Sequence, residues 1–380
     1  MSALLKFDSP TAVMLYAIEL AARGLGRVEP NPAVGAVLVD EHLNLLADGY
    51  HERFGGPHAE VNALLDFSDR FEDPGVRQEL LANATLYVTL EPCCHHGKTP
   101  PCSEAVVDAG VRRVVVGLRD PSPHVDGGGI RQLQDAGVDV STGVAEAQVR
   151  ELNAPFLKGL QTGEPWVHAK WAMTLDGKIA TRTKASKWIS SEASRQRVHL
   201  LRGRMDAIIV GSGTARSDDP LLTVRLPGPR TPVRVVVDSA ATLSIDSQLV
   251  RTVADAPVLV AVTERASSTS VERLRNAGVE VLVAGAADGQ VDLTLLLKEL
   301  GRRSMTNILI EGGGELLGAA FDADLVDEAH VFVAPKFAGG ADAVTPVAGV
   351  GVDIIPEAGQ LRGQVLEQVG DDVYIHGRLH

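Results

Sequence analysis

The side chains most able to carry out chemistry in this sequence are a histidine, a glutamate and two cysteines in its first third. His58 and Glu60 are separated by one residue, and Cys93 and Cys102 are separated by eight. One imidazole and two thiolates leave the fourth tetrahedral position of a zinc ion open, which is typical of a catalytic zinc site. We therefore predict a zinc centre with His58, Cys93 and Cys102 as its ligands.

Glu60 is expected to move a proton rather than to bind the metal. It follows His58 too closely to share the ion comfortably, but it can reach a water molecule at the open position. The order H-x-E followed by P-C-x-x-C is the signature of zinc-dependent base deaminases. This chain departs from the signature in the spacing of the two cysteines, which is eight residues instead of two.

Other interpretations of these residues stay open. Free cysteines are often small buried hydrophobic residues, and Cys94, His95 or His96 could take the place of a predicted ligand. We expect Cys94 to be a bystander, because the Pro-Cys pair before it fits the signature directly. The loop that follows is expected to line the mouth of the pocket, where Lys98 could meet an anionic substrate.

Alternating helix and strand patterns over the first 150 residues must position these side chains. The predicted strands cover residues 34–39, 85–90, 113–117 and 138–141, and the predicted helices begin near residues 10, 58, 102 and 130. Such alternation predicts an α/β domain with a mostly parallel sheet and helices on its faces. His58 and Cys102 open helices in this scheme, so the free N–H groups there would stabilise a thiolate at Cys102.

The alternating pattern lapses between Asn153 and Pro165, where prolines and glycines interrupt a short apolar stretch. We predict a first domain over residues 1–152, a linker over 153–165 and a second domain over 166–380. A chain of 380 residues is long enough for two domains. In the second series, the predicted strands cover 207–210, 234–237, 258–262, 279–283, 307–310 and 329–334, and the predicted helices cover 191–202, 270–276 and 293–300.

A run of three glycines, Gly312 to Gly314, follows a buried strand of the second series and opens a helix. In this geometry bare backbone N–H groups can hold a pyrophosphate, although the same run could be an ordinary tight turn. The run is not G-x-G-x-x-G, so a standard Rossmann domain is not indicated.

Composition narrows the classes of function. Lys and Arg number 36 against 49 Asp and Glu, a net charge of −13 that disfavours nucleic acid as a partner. The hydrophobic share of 45% and the charged share of 22% are typical of a globular protein. No apolar run reaches the ~18 residues needed to cross a bilayer, and the start of the chain has no secretory signal, so we expect a cytoplasmic protein. The three cysteines crowd into ten positions, which does not suit a disulfide framework.

Several segments of the first half resemble the RibD family of bifunctional riboflavin biosynthesis proteins. They are Asn31 to Gly35, Pro57 to Val61, Thr89 to Cys93 and His95 to Cys102, and the long cysteine spacing belongs to the family pattern. The resemblance implies a cytidine-deaminase-like three-layer domain. It also implies zinc-dependent hydrolytic removal of the 2-amino group of 2,5-diamino-6-ribosylamino-4(3H)-pyrimidinone 5′-phosphate. Asn31 and His51 would contact the base, and the substrate phosphate would lie near residues 95–99.

The second half is similar to the reductase half of the same family. The matching segments are Lys170 to Lys178, Ser186 to Ile189, Val210 to Thr214 and Asp218 to Arg225. The resemblance implies a dihydrofolate-reductase-like α/β domain that uses NADPH. That domain would reduce the ribosyl group of 5-amino-6-(5-phosphoribosylamino)uracil to a ribityl chain.

The same resemblance implies two sets of contact residues in the second half. The cofactor contacts are Ala172, Trp188, Thr214, Asp218, Ser239, Gly313, Gly314, Glu315, Leu316, Leu317, Gly318 and Ala319. The substrate contacts are Ser186, Arg202, Leu222, Arg225 and Glu311. Arg202 and Arg225 suit a bidentate grip on a 5′-phosphate. Lys170 and Asp176 are the titratable residues nearest the expected site, and the sequence does not choose a proton donor between them.

The leading prediction is an enzyme that performs deamination and then reduction on a small phosphorylated aminopyrimidine, without a nucleic acid or a membrane as partner. We expect a homo-oligomer, either a dimer or a tetramer. The alternative is a zinc nucleotide or nucleic-acid deaminase fused to a non-catalytic nucleotide-binding module.

Overall fold

The computed structural model of the chain describes residues 5–95, 100–122, 125–224, 230–286, 288–354 and 359–379. The chain forms two compact units, Met1–Thr162 (unit 1) and Gly163–His380 (unit 2). Residues 154–162, which were expected in a linker, form a helix that belongs to unit 1. Pro155 is the second residue of this helix, where a missing N–H costs nothing, so it does not prevent helix formation.

Unit 1 alternates helices and strands around one mixed sheet. Its helices are α1 (Pro10–Ala22), α2 (Ala59–Arg70), α3 (Pro74–Asn83), α4 (Cys102–Asp108), α5 (Gly128–Asp135), α6 (Glu146–Leu152) and α7 (Ala154–Thr162). Its strands are β1 (Gly35–Val39), β2 (Leu45–Tyr50), β3 (Thr85–Leu90), β4 (Arg113–Leu118) and β5 (Asp139–Thr142), in the sheet order β2-β1-β3-β4-β5.

The sheet of unit 1 is parallel on one side only. Strands β3, β4 and β5 pair in parallel, whereas β1 is antiparallel to both β2 and β3. The expectation of a mostly parallel sheet is therefore wrong for this side of the sheet. The unpredicted strand β2 follows β1 after only residues 40–44, and so short a connection can join only antiparallel neighbours.

Both faces of this sheet are covered by helices. Val37 and Val39 of β1 pack with the apolar side of α1, while Ala36 and Leu38 pack with α2. Because successive strand residues point to opposite faces, β1 is buried throughout. The result is a three-layer arrangement in which the N-termini of α2 and α4 can approach the end of β3.

Unit 2 is built on a larger sheet. Its strands are β6 (Trp166–Thr174), β7 (Ala207–Gly211), β8 (Val233–Val237), β9 (Val258–Val262), β10 (Glu280–Val283), β11 (Asn307–Glu311), β12 (Glu328–Ala334), β13 (Arg362–Val369) and β14 (Asp372–Arg378). Its helices are α8 (Glu192–Arg202), α9 (Ser212–Asp218), α10 (Gln248–Arg251), α11 (Ser268–Asn276), α12 (Leu293–Arg302) and α13 (Gly314–Asp322).

The strand order of this sheet is β10-β9-β8-β7-β11-β6-β12-β14-β13. Pairing is parallel from β10 to β12 and antiparallel from β12 to β13. Helices α12 and α13 bury leucines on one face, and α10 and α11 bury leucines on the other. The carboxyl ends of the parallel strands meet at one edge, which is where open α/β sheets bind ligands. Among the helices that the structure describes, none is long and apolar enough to cross a membrane.

Candidate functional sites

The three predicted zinc ligands meet at the N-termini of α2 and α4. His58 is the residue before α2, Cys102 is the first residue of α4, and Cys93 follows β3 by three residues. His58 Nδ1 lies 3.2 Å from Cys102 Sγ and 3.7 Å from Cys93 Sγ. Nitrogen and sulfur ligands on one tetrahedral zinc ion are about 3.6 Å apart, so the side chains present fit this ion. Within the described residues, neither Cys94 nor His95 belongs to the cluster.

Cys93 and Cys102 are hydrogen-bonded to each other. The pKa of Cys93 is lowered to about 4, first by a hydrogen bond from the Cys102 thiol and further by His58. The pKa of Cys102 is raised by that same hydrogen bond, by its burial and by Glu60. The backbone N–H of Cys102 donates to Cys93 Sγ at 3.3 Å. The N-terminus of α4 therefore stabilises a thiolate at Cys93, and the thiolate that we expect at Cys102 stays a prediction.

Glu60 lies in the first turn of α2 and is buried. Burial raises the pKa of its carboxyl group to about 7, and its side chain hydrogen-bonds with Cys102. A carboxyl group with such a pKa can both accept and release a proton near neutral pH. The position and the pKa of Glu60 thus suit proton transfer at the open side of the metal centre.

Asn31 and His51 lie beside the metal centre and are bonded to each other. The His51 ring stands edge-on to the His58 ring, with centroids 5.0 Å apart. Its Nδ1 lies 2.9 Å from the Pro57 carbonyl oxygen, which can only accept, so Nδ1 carries the proton. Its Nε2 then accepts from Asn31 Nδ2 at 3.2 Å. Both His51 nitrogens are engaged within the chain, and Asn31 Oδ1 is the atom of this pair left to face a base.

Asn153 fixes the segment that carries Asn31 and was missed by the sequence analysis. Its side chain is buried at the end of α6. It accepts from the Ala33 backbone N–H at 2.8 Å and donates to the Ala33 carbonyl at 3.0 Å. These contacts join residues 120 positions apart, so no local motif could have pointed to them.

Glu91 anchors the loop that contains Cys93 through hydrogen bonds to the backbone of the chain around the start of α5. Its buried carboxylate accepts hydrogen bonds from the backbone N–H groups of Asp120, Gly127 and Ile130. The loop that begins with Pro92 and Cys93 is thereby tied to the start of α5. This role could have been suspected, because Glu91 stands directly before the Pro-Cys pair.

In unit 2, the predicted cofactor residues lie around the carboxyl ends of neighbouring strands. Thr214 follows β7, the glycine run follows β11, and Ala172 lies on β6, with β11 between β7 and β6. Gly313 has a φ of +82°, and a Cβ there would lie 3.0 Å from Thr214 Oγ1. The starts of α9 and α13 are therefore adjacent. Ser239 lies at the same edge after β8, where its hydroxyl donates to Gln290.

The rest of the glycine turn is used for packing. A Cβ on Gly314 would lie 2.6 Å from the Thr345 carbonyl oxygen, and one on Gly318 would lie 2.3 Å from the Ala348 backbone. Leu316 and Leu317 are buried in the apolar core, so only their backbones could face a dinucleotide. The exposed positions of the predicted cofactor turn are Glu315 and Ala319.

A second group of predicted contacts lies near the end of α9. Ser186 Oγ is 3.5 Å from Asp218 Oδ1. Trp188 is 64% exposed, and the Arg195 guanidinium lies over its ring. The Leu222 side chain is buried in the core, which leaves its backbone as the part able to contact a substrate. The remaining predicted contact here, Arg225, lies outside the described residues, as do residues 96–99 of the loop expected near the other phosphate.

Arg202 and Glu311 form a bidentate ion pair. Arg202 Nε and Nη2 donate to the two Glu311 carboxylate oxygens at 2.6 and 2.8 Å. The Nε/Nη2 edge of the guanidinium is therefore used within the chain, and only the Nη1/Nη2 edge is left for the predicted phosphate contact, which stays a prediction. Although burial raises the pKa of Glu311, the charge of Arg202 outweighs it and lowers the pKa to about 2. Burial lowers the pKa of the neighbouring Lys170.

Asp176 closes a turn after β6. Its carboxylate accepts from the Thr174 hydroxyl at 2.6 Å and from the backbone N–H groups of Ala338 and Gly339. The hydrogen bond from Thr174 and the two backbone hydrogen bonds lower the pKa of Asp176 to about 2. Such a carboxylate is ionised at neutral pH, so it is a poor proton donor.

Comparisons with known proteins give a family match in each unit. The family model of the cytidine and deoxycytidylate deaminase zinc-binding region matches residues 8–118, and that of the RibD C-terminal domain matches residues 165–375. These matches confirm the expected fold class, a cytidine-deaminase-like domain followed by a reductase-type α/β domain. They also support zinc as the metal of unit 1.

The relatives cover nearly the whole chain. The riboflavin biosynthesis protein RibD of Actinobacillus pleuropneumoniae is 42% identical over 95% of this chain and 93% of its own length. The solved diaminohydroxyphosphoribosylaminopyrimidine deaminase/5-amino-6-(5-phosphoribosylamino)uracil reductase of Thermotoga maritima has a TM-score of 0.81 at 35% identity, over 97% of this chain and 98% of its own. Acinetobacter baumannii RibD in crystal form 1 gives a TM-score of 0.80 at the same identity and coverage. The chain therefore belongs to the RibD family of bifunctional deaminase and reductase proteins of riboflavin biosynthesis.

Proposed function

We propose that unit 1 deaminates 2,5-diamino-6-ribosylamino-4(3H)-pyrimidinone 5′-phosphate and that unit 2 reduces the deaminated product with NADPH. The observation that carries the proposal is the grouping of three zinc ligands with a buried glutamate whose pKa is about 7. The similarity to the named Thermotoga maritima enzyme supports the choice of substrates.

In unit 1, Glu60 is the proton carrier. His58, Cys93 and Cys102 would hold a zinc ion, which would supply a Lewis acid able to lower the pKa of a water molecule. Glu60 accepts the proton of the attacking water through its carboxylate. It delivers this proton to the ring nitrogen, then takes the proton of the newly added hydroxyl group and gives it to the amino group, so that the C–N bond breaks, a carbonyl forms and ammonia leaves.

Asn31 is the residue that orients the base, and His51 is a positioning residue. With Nδ2 donating to His51, the Asn31 amide presents Oδ1 as an acceptor for an N–H group of the aminopyrimidine. His51 holds this orientation through its own bond to Pro57. Burial lowers the pKa of His51, which keeps the ring neutral and its Nε2 an acceptor.

In unit 2, the carboxyl edge of the sheet holds the dinucleotide and the substrate side by side. Bound there, NADPH would supply a hydride for C1′ of the ribosylamine, while the C1′–O4′ bond breaks and O4′ takes up a proton. Backbone N–H groups at the start of α13, next to Thr214, are placed to face the cofactor phosphates. Arg202, Glu311 and Lys170 line the substrate side, where the buried ion pair keeps the Glu311 carboxylate fixed.

A coupled assay of the wild type and Glu60→Gln tests both halves of the proposal. The wild type should release ammonia from the diamino substrate and oxidise NADPH with either substrate. Glu60→Gln should lose ammonia release by about 10²- to 10⁴-fold, keep its zinc, and still oxidise NADPH with the deaminated substrate.

Glu79→Gln is the matched control, because Glu79 is an exposed glutamate of α3 in the same unit. It should behave as the wild type with both substrates. Ammonia release by Glu60→Gln at the wild-type rate would refute the role of Glu60. Absence of NADPH oxidation with the deaminated substrate would refute the reductase assignment.

A further inference from the structure

Unit 2 contains a second group of metal-binding side chains, away from its carboxyl edge. His168 lies near the start of β6, and Glu328 and His330 lie at the start of β12. The two strands are parallel neighbours, with Glu328 opposite His168 in the register. Glu328 and His330 are two residues apart, so their side chains share one face of the sheet. The three residues form the His168–Glu328–His330 cluster.

The ligand atoms of this cluster are spaced as they would be around one metal ion. His168 Nδ1 is 3.0 Å from His330 Nε2, and His330 Nε2 is 3.4 Å from Glu328 Oε1. Glu328 Oε2 is 3.7 Å from His168 Nδ1. Ligands about 2.1 Å from a single ion are about 3.0–3.4 Å apart in octahedral and tetrahedral sites. Movements of a few tenths of an ångström would therefore complete the coordination.

The outer nitrogen of each imidazole is held by another side chain. His168 Nε2 is 3.3 Å from Asn307 Oδ1, and the Asn307 amide is oriented by its Nδ2 donating to Thr306. His330 Nδ1 is 2.7 Å from the Tyr374 hydroxyl. Metal-binding histidines are commonly fixed in this way, with the second nitrogen bonded to an oxygen so that the first faces the ion.

The cluster also has a route to solvent. Glu328 is 18% exposed and His376, on the neighbouring strand β14, is 28% exposed, with His376 Nδ1 lying 3.8 Å from Glu328 Oε1. A metal ion could enter from this side, where His376 or water would complete its coordination. Ligand identity, spacing, support and access are the features required of a metal site.

We propose that His168, Glu328 and His330 bind a divalent transition-metal ion, Zn²⁺ in particular, which links strands β6 and β12. Two neutral imidazoles and one carboxylate form a set that suits Zn²⁺ and Co²⁺, and it contains no thiolate. Its ligand set therefore differs from that of the centre of unit 1, which includes two cysteines. In its metal-free form the cluster remains satisfied, because His330 Nε2 can donate to His168 Nδ1.

The test uses the full chain with Cys93→Ser and Cys102→Ser, so that the centre of unit 1 cannot dominate the signal. The stripped protein is titrated with Co²⁺ alone. We expect one equivalent to bind, with visible d–d absorption and without a thiolate-to-cobalt charge-transfer band. Adding His330→Gln or Glu328→Gln should weaken Co²⁺ binding at least 100-fold, while the exposed His42→Gln should not change it.

Zinc content gives an independent readout. The wild-type chain should retain about two zinc ions, the double cysteine variant about one, and the combined variant with Glu328→Gln none. Circular dichroism identifies any variant that has failed to fold. If the folded double cysteine variant binds no Co²⁺ and retains no zinc, the cluster is a hydrogen-bonded network only and the proposal is wrong. Co²⁺ binding with unchanged affinity in both the Glu328→Gln and the His330→Gln variants would also contradict the proposal.

Discussion

Replacing Asn153 with alanine should damage the deaminase site without touching any ligand of the metal. Asn153 is 2% exposed, and its amide makes two hydrogen bonds to the backbone of Ala33. In Asn153→Ala the Ala33 N–H and C=O would lose their partners in a buried setting. Each unsatisfied group costs about 1–3 kcal/mol, so the segment that carries Asn31 should be destabilised by about 2–6 kcal/mol.

Two measurements report on this change. Hydrogen exchange of the Ala33 amide should accelerate by at least 30-fold, the equivalent of about 2 kcal/mol at 25 °C. The kcat/KM for ammonia release should fall by at least 10-fold, because Asn31 would no longer be held against His51. The NADPH-dependent reduction of the deaminated substrate should stay within twofold of the wild type.

The matched control is Asn83→Ala. Asn83 is an exposed residue of α3 whose amide donates only to a carbonyl of its own helix. It should change neither the exchange of Ala33 nor the deamination rate. If Asn153→Ala leaves the Ala33 amide as protected as in the wild type, the claim that Asn153 holds this segment is refuted.

Three further predictions concern unit 2. Glu311→Gln should destabilise unit 2 by about 3 kcal/mol in thermal unfolding, because it leaves a buried guanidinium unpaired, and it should abolish NADPH oxidation. Asp176→Asn should keep the wild-type shape of the reductase pH profile from about pH 5 to 9, since a carboxyl group with a pKa of about 2 stays ionised above that value and loses its charge only as the pH falls towards it. Gly318→Ala should cost about 1–3 kcal/mol, because its Cβ would meet the facing backbone at 2.3 Å, whereas Gly213→Ala has open space and should be tolerated.

The metal centre was predictable because its ligands sit at element boundaries that the sequence marks clearly. The strand before Cys93 is a short apolar run that is buried, and the helices that begin after His58 and at Cys102 each bury part of their residues. Strand β2 was missed because its sequence, LLADGY, contains Asp48 and Gly49 where an apolar strand residue is expected. Gly49 is needed there because a Cβ would lie 2.4 Å from the Ala63 backbone nitrogen of α2. A glycine therefore stands at this position because α2 packs closely against the strand, and not because glycine favours a strand.

Strands β13 and β14 were missed for a different reason. Most residues of β13 are exposed, so its apolar and polar side chains do not alternate between a buried and a solvated face. Periodicity reports a strand only where one of its faces is buried. Strands β13 and β14 are joined by backbone hydrogen bonds. Such bonds do not require particular side chains, so the sequence does not indicate the hairpin.

Residue type predicts where a functional side chain lies better than it predicts which group that side chain will hydrogen-bond to. Arg202, in the last turn of α8, was expected to grip a phosphate, and one edge of its guanidinium is paired with Glu311. His51 was expected to contact the base, and both of its nitrogens form hydrogen bonds within the chain. Both contacts stay predictions, because a neighbour that is distant in sequence can take part of a side chain's hydrogen-bonding capacity. The hydrogen-bonding capacity that remains in this pair lies at Asn31 Oδ1, which is why we propose this atom as the substrate contact.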